Sequence, residues 1–204
     1  MSGPLEVVVV NGSPNERSRT AALADLITSR LAELVPSNVR RIDVYRLGPG
    51  FTGASSRDAV PSGVEAELRL VEEADVVVAA TPVFRGSYSG MFKHFFDLID
   101  QYALANTLVI LAATGGSDRH ALVIEHTLRP LFGFFQAAVA PVGFYVSAGD
   151  FDGTTVLNAE VYSRIEVGLS DVLPQLRNLR QERGPQVTES TPRADRITDS
   201  STVP

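Results

Sequence analysis

The sequence predicts an α/β protein built on a doubly wound parallel sheet. Three observations point there. Short apolar runs rich in Val, Ile and Ala recur along the chain, each followed by a segment with apolar residues at helical spacing, and three of the runs end in loops of small residues. Strands alternating with helices of this length pair in parallel and carry helices on both faces. Sheets of this kind bind ligands beyond the carboxyl ends of their strands.

Leu5–Val10 is a β-branched run suited to a strand buried on both faces. Ser18 or Thr20 caps the following helix, where Leu23, Ile27, Leu31 and Leu34 recur at helical spacing. Val39–Tyr45 reads as the second strand. Gly48-Pro49-Gly50 opens a loop without periodicity that lasts to Ser62. Val64–Glu73 is a polar-faced helix, and Ala74-Asp75 leads into the third strand, Val76–Ala80. Ser87–Asp100 reads as helix, Thr107–Ala113 as the fourth strand, His120–Ala137 as helix, Val139–Ser147 as the fifth strand and Val156–Leu176 as a long amphipathic helix. Five strands allow the flavodoxin-like order 2-1-3-4-5, whose switch point lies between the first and third strands. Residues 1–180 then form one domain. From about Gln181 the composition turns to Pro, Ser, Thr, Asp and Arg, and the 181–204 tail is expected to be disordered.

Composition narrows the function. The 204 residues carry a formal charge of -6, which disfavours general nucleic-acid binding. No apolar run approaches the roughly 20 residues that span a bilayer, and the N-terminus lacks a signal pattern, so no membrane association is expected. The absence of cysteine excludes thiol catalysis and suits a reducing cytoplasm. Three scattered histidines, His94, His120 and His126, make a metal site unexpected.

Chemistry concentrates in the three strand-end loops. The first, Asn11 to Thr20, offers hydroxyls from Ser13, Ser18 and Thr20 and charge from Arg17 or Arg19 at a helix N-terminus, where anions bind. The bland alternative, a plain cap with solvated arginines, is less favoured by its place after the first strand. The loop is neither G-x-G-x-x-G nor a P-loop lysine motif, and a hydroxyl-rich monophosphate loop suits a mononucleotide such as FMN. In the second loop, Pro82 ends the strand, and Gly86 and Gly90 permit close backbone approach. Phe84 and Tyr88 suit a cofactor face, the core or an interface. The third, Thr114-Gly115-Gly116-Ser117, suits either the edge of a ring or a tight turn.

Together GSPNERSRT, ATPVFRGSYSGMFKHFFDLI and LAATGGSDRHALVIEHTLRPLF resemble the NAD(P)H-dependent FMN reductases, over roughly residues 5–178. The resemblance is closest to those that supply reduced flavin to alkanesulfonate-type two-component monooxygenases. It implies FMN and NAD(P)H as cofactors. It places the flavin phosphate on Ser13, Ser18, Arg19 and Thr20, and the ring against Pro82, Val83, Phe84 and Arg85 and against Thr114, Gly115 and Gly116. Hydride transfer between stacked rings needs no protein acid, base or nucleophile, so no side chain is expected to be catalytic. Arg85 and Arg119 are candidates for the phosphates of the nicotinamide dinucleotide. A monooxygenase partner fed with a released flavin is implied. The rivals are a quinone, azo or nitro reductase that retains FMN and a flavodoxin-like electron carrier without turnover.

Pro130 lies inside the predicted His120–Ala137 helix, where it cannot donate to the carbonyl of His126, so a kink or a π-bulge is expected. Some of the resembling reductases carry a one-residue π-insertion here. His126 is either that residue or an ordinary surface histidine. This helix and the one before it hold more apolar residues than one sheet face is expected to cover, which predicts burial in a homodimer or homotetramer.

Overall fold

A computed structural model describes residues 3–182. In chain order the main elements are β1 (Leu5–Asn11), α1 (Arg19–Leu34), β2 (Ser37–Asp43), α2 (Pro49–Thr52), α3 (Ser62–Glu72), β3 (Val76–Pro82), α4 (Gly90–Asp97) and β4 (Leu108–Gly115). There follow a π-helical segment (Ile124–Leu128), α5 (Arg129–Phe134), β5 (Ala138–Val139), β6 (Phe144–Ser147), β7 (Phe151–Asp152), β8 (Thr155–Val156) and α6 (Ala159–Glu182).

The strands pair in parallel in the order β2-β1-β3-β4-β5, with β6 also on β4, so the 2-1-3-4-5 order expected of a flavodoxin-like sheet is present. Alternate residues of each central strand point to opposite faces. Val8, Val10, Val77, Ala79, Val109 and Leu111 pack with Leu68 of α3, Phe95 of α4 and Phe132 of α5. Val7, Val9, Val76, Val78 and Ile110 pack with Leu23 and Ile27 of α1 and Ile165 and Leu169 of α6. Both faces are therefore covered, as the unbroken apolar runs require.

Four expectations change. The fifth strand is two short pieces, β5 and β6, because Pro141 has no N–H for the ladder and the carbonyls of Ala140 and Pro141 accept from the Arg129 guanidinium at 3.0 and 3.1 Å. The helix expected over 120–137 is shorter, beginning only after a 3-10 turn (Asp118–His120), but it carries the expected irregularity as a π-helical segment that contains His126, followed by α5. The Arg129 N–H closes the wide turn on the carbonyl of Ile124, and Pro130 falls in the first turn of a new helix, where no N–H is needed. Val156 belongs to a β7–β8 hairpin rather than a helix, and α6 runs on through Glu182; the rest of the expected tail lies outside the described residues. Most of the excess aromatic residues are absorbed within the protomer, with Phe134 left exposed. Phe92, Phe95, Phe96, Phe132 and Phe135 are buried, and Phe96 stacks edge-on against Phe132 with ring centroids 4.9 Å apart.

The 47–62 loop is also more ordered than its lack of periodicity suggests. Phe51 of α2 is fully buried beside His94, whose Nε2 lies 2.8 Å from the Phe51 carbonyl. Arg57 bonds both Glu65 and Glu72, and Glu72 in turn accepts the Asp100 N–H at 3.0 Å.

Candidate functional site

The sheet brings the three loops to its carboxyl edge, and buried polar side chains lock them together. Asn11, fully buried, donates from Nδ2 to Asp43 at 2.7 Å and accepts the Ser13 N–H at 3.2 Å on its own Oδ1. The Ser13 hydroxyl accepts the Asn15 N–H at 3.3 Å. Gly12 N–H donates to the Ala80 carbonyl at 2.7 Å. A Cβ on Gly12 would stand 2.9 Å from Phe92, so only glycine lets the first loop cross α4 this closely. Ser89, also fully buried, caps α4 and donates to the Gly12 carbonyl at 2.7 Å, while its own N–H donates to the Thr81 hydroxyl at 3.2 Å.

The other joints are equally direct. The Thr20 and Thr114 hydroxyls are 2.7 Å apart and buried, which ties the first turn of α1 to the end of β4. Val83 N–H donates to the Thr114 carbonyl at 2.8 Å. Beyond it, Phe84 and Ser87 pair across a two-residue turn in which Arg85 (φ 52°) and Gly86 (φ 84°) both hold positive φ, as a type I′ hairpin turn requires. Arg85 and Phe84 are exposed at this tip. Under the third loop, the Tyr145 hydroxyl donates to the Ser117 carbonyl at 2.5 Å, and a Cβ on Gly115 would strike that hydroxyl at 2.1 Å. Burial, with help from Asp118 and Asp150, pushes the Tyr145 pKa up and keeps the phenol a donor.

These joints frame a cleft of about 360 Å³. Ser13, Ser18, Thr20, Thr114 and Thr154 supply five hydroxyls to its lining, Arg17 and Arg19 supply two guanidiniums, and among the described residues no carboxylate lines it. In a chain of formal charge -6, that patch is suited to an anion. Ser18 is the N-cap of α1, accepting the Ala21 N–H at 3.1 Å, so the first amides of the helix open toward the same place.

Of the residues expected in the site, Ser13, Ser18, Arg19, Thr20, Pro82, Phe84 and Thr114 line the cleft. Val83, Arg85, Gly115 and Gly116 do not: Val83 spends its amide on Thr114, Arg85 stands at the turn tip, and Gly115 and Gly116 follow Thr114 outward. Arg19 is engaged elsewhere, donating from Nε to the Gly153 carbonyl at 3.3 Å with its guanidinium 5.8 Å from the centroid of the Phe151 ring. Gly153 and Thr154, at the tip of the β7–β8 hairpin, complete the lining and were not anticipated. The local signal is Phe151-Asp152-Gly153-Thr154-Thr155-Val156, in which Gly153, free to hold positive φ, opens a two-residue Gly-Thr turn between two apolar residues that pair with each other.

A family model described as NADPH-dependent FMN reductase matches residues 5–152. The NADH-dependent FMN reductase SfnE of Pseudomonas putida is 45% identical over 174 residues, which cover 85% of this chain and 94% of that protein. An FMN reductase (NADPH) of Pseudomonas aeruginosa is 41% identical over 174 residues, again covering 85% of this chain and 94% of the relative. Among solved structures, an oxidoreductase of Corynebacterium diphtheriae superposes with a TM-score of 0.77 at 31% identity, covering 89% of this chain and 99% of that one.

Proposed function

The chain belongs to the NADPH-dependent FMN reductase family, and on that premise we propose that the cleft at the end of β1 takes FMN for reduction by NAD(P)H. One observation carries the placement: among the described residues, five hydroxyls, two arginines and no carboxylate converge at the N-terminus of α1. Bound there, FMN would supply the hydride-accepting ring, which leaves the protein the tasks of binding, orienting and excluding water.

Ser13, Ser18 and Thr20, with the free amides of the first turn of α1 and the Arg17 charge, are suited to hold the phosphate. Thr114 and Pro82 would border the ribityl chain and ring, and Phe84 offers an exposed aromatic face. Gly115 and Gly116 extend the same wall, with Tyr145 holding it from beneath. Arg85, exposed at the tip of the second loop, and Arg119, exposed just after the third, would meet the phosphates of the nicotinamide dinucleotide.

The flavin is a released substrate in this reading. The cleft offers hydroxyls and amides but no Cys or His for covalent attachment, so retention rests on noncovalent contacts. Micromolar affinity, about -8 kcal/mol, suits a flavin that must leave reduced for a separate monooxygenase. A second copy of the chain would cover the groove of about 670 Å³ between α4 and α5, where Ile99, Leu131 and the exposed Phe134 lie beside His126.

Titration of FMN and riboflavin into the parent protein and a Ser13→Ala/Ser18→Ala variant tests the placement. Each lost bond to the phosphate is worth about 1.5–3 kcal/mol, so the variant should bind FMN far more weakly and riboflavin much as before. Equal affinities for FMN in parent and variant would reject it.

A further inference from the structure

The β7–β8 hairpin has features that a mere connection between strand and helix does not need. Its base is stapled by Asp150, which accepts the Ser147 N–H at 2.9 Å and the Ser147 hydroxyl at 3.0 Å on one oxygen and the Asn158 amide at 2.7 Å on the other. The Asn158 bond is the main reason the Asp150 pKa is lowered. Phe151 and Val156, paired across the hairpin, are buried against the core. The tip turns at Gly153 (φ 58°) and leans on α1 through Arg19. The arm is thus anchored at both ends, and its tip stands at the cleft.

A second, smaller cleft of about 270 Å³ lies on the far side of that tip. Arg17, Ser18 and Thr154 line both clefts, so together they form the ridge between them. A flavin whose phosphate sits on Ser13 and Ser18 would meet this ridge directly beyond the phosphate.

We propose that the β7–β8 hairpin, held down by Arg19, is the wall that restricts the flavin substrate to a 5′-monophosphate and turns away FAD, whose adenylate would have to pass Thr154. Arg19 is then a positioning residue that acts through Gly153 rather than a phosphate ligand. The inference rests on the phosphate placement given above. Riboflavin, which ends before the wall, is indifferent to it.

Steady-state NADH oxidation with FMN, FAD or riboflavin as the varied acceptor tests this in three variants: residues 152–155 replaced by Asn-Gly, Arg19→Ala, and both together. The shortened hairpin keeps the Phe151–Val156 pair closed by a two-residue turn but removes Gly153 and Thr154. It should raise the FAD-to-FMN ratio of kcat/KM on the order of tenfold. Arg19→Ala should raise the same ratio, and the combined variant should go no further than the shortened hairpin, since both act on one contact. Retained riboflavin turnover reports that each variant is folded. An unchanged ratio in the shortened variant overturns the proposal. So does an Arg19→Ala variant that weakens FMN and FAD equally, the behaviour of a direct phosphate ligand. A Ser13→Ala/Ser18→Ala variant that treats FMN and riboflavin alike is a separate result, which would remove the phosphate placement itself.

Discussion

Thr20 and Thr114 stand 94 positions apart in sequence, yet one hydrogen bond between their hydroxyls joins the first and third loops. Thr20→Val would leave the Thr114 hydroxyl without this partner in a buried place, at a cost of about 1–3 kcal/mol. Urea unfolding should register that loss, and FMN affinity should fall with it as the two loops come apart. Ser18 carries two duties, since its hydroxyl also caps α1. Ser18→Ala should therefore cost about 1 kcal/mol of stability besides its effect on FMN, whereas Ser13→Ala should act mainly on the ligand. Ser13, Ser18 and Thr20 were legible because hydroxyls following a buried strand and opening a helix have a local physical reason to be there. The partner of Arg19 was not: Gly153 lies 134 positions away, and no local pattern announces a pairing at that distance.

At the scale of elements, most strands and helices follow from apolar periodicity, and the departures trace to single residues. Pro130 announced that helix 120–137 could not run straight, and the π-helical segment is how the chain accommodates it. Pro141 carried the same kind of warning for the fifth strand, but the apolar run around it reads as continuous until the Arg129 guanidinium is seen to occupy its carbonyls. The short helix at Pro49–Thr52 and the turn at Arg57 are held by groups distant in sequence, His94 and Phe95 against the buried Phe51 and Glu65 and Glu72 on Arg57, so no local periodicity marks them. That cluster gives a pH prediction. Hydrogen bonds from Arg57, then Arg69, lower the Glu65 pKa from 4.5 to about 2. A carboxyl depressed on folding contributes stability that is fully present above its unfolded pKa and fades as pH falls toward the folded one. The difference in unfolding midpoint between parent and Glu65→Gln should therefore be greatest above pH 4.5 and shrink as pH approaches about 2. A difference that stays constant over this interval would mean that the ion pairs do not stabilise the loop.

For the whole molecule, the 2-1-3-4-5 order is one that five alternating strands allow, and it sets the crevice between the first and third strands where the cleft lies. The assembly is less direct to read. Most of the aromatic surplus fills the protomer's own core, and what it leaves outside is narrower, chiefly Phe134 and the groove beside it. Light scattering should then show Phe134→Asp shifted toward smaller species than the parent, while Phe135→Asp, a buried position, should lower stability instead. Among the described residues no helix is long and apolar enough to cross a membrane. The central claim is that this chain passes hydride from NAD(P)H to a flavin that comes and goes. Its most direct test is NAD(P)H oxidation by extensively dialysed protein with FMN added in steps. The account predicts nearly colourless protein, no oxidation without FMN, and a rate that rises and saturates with added FMN. Oxidation that needs no added flavin, supported by stoichiometric FMN surviving dialysis, would contradict the released-flavin account; no flavin-dependent oxidation at all would contradict the reductase itself.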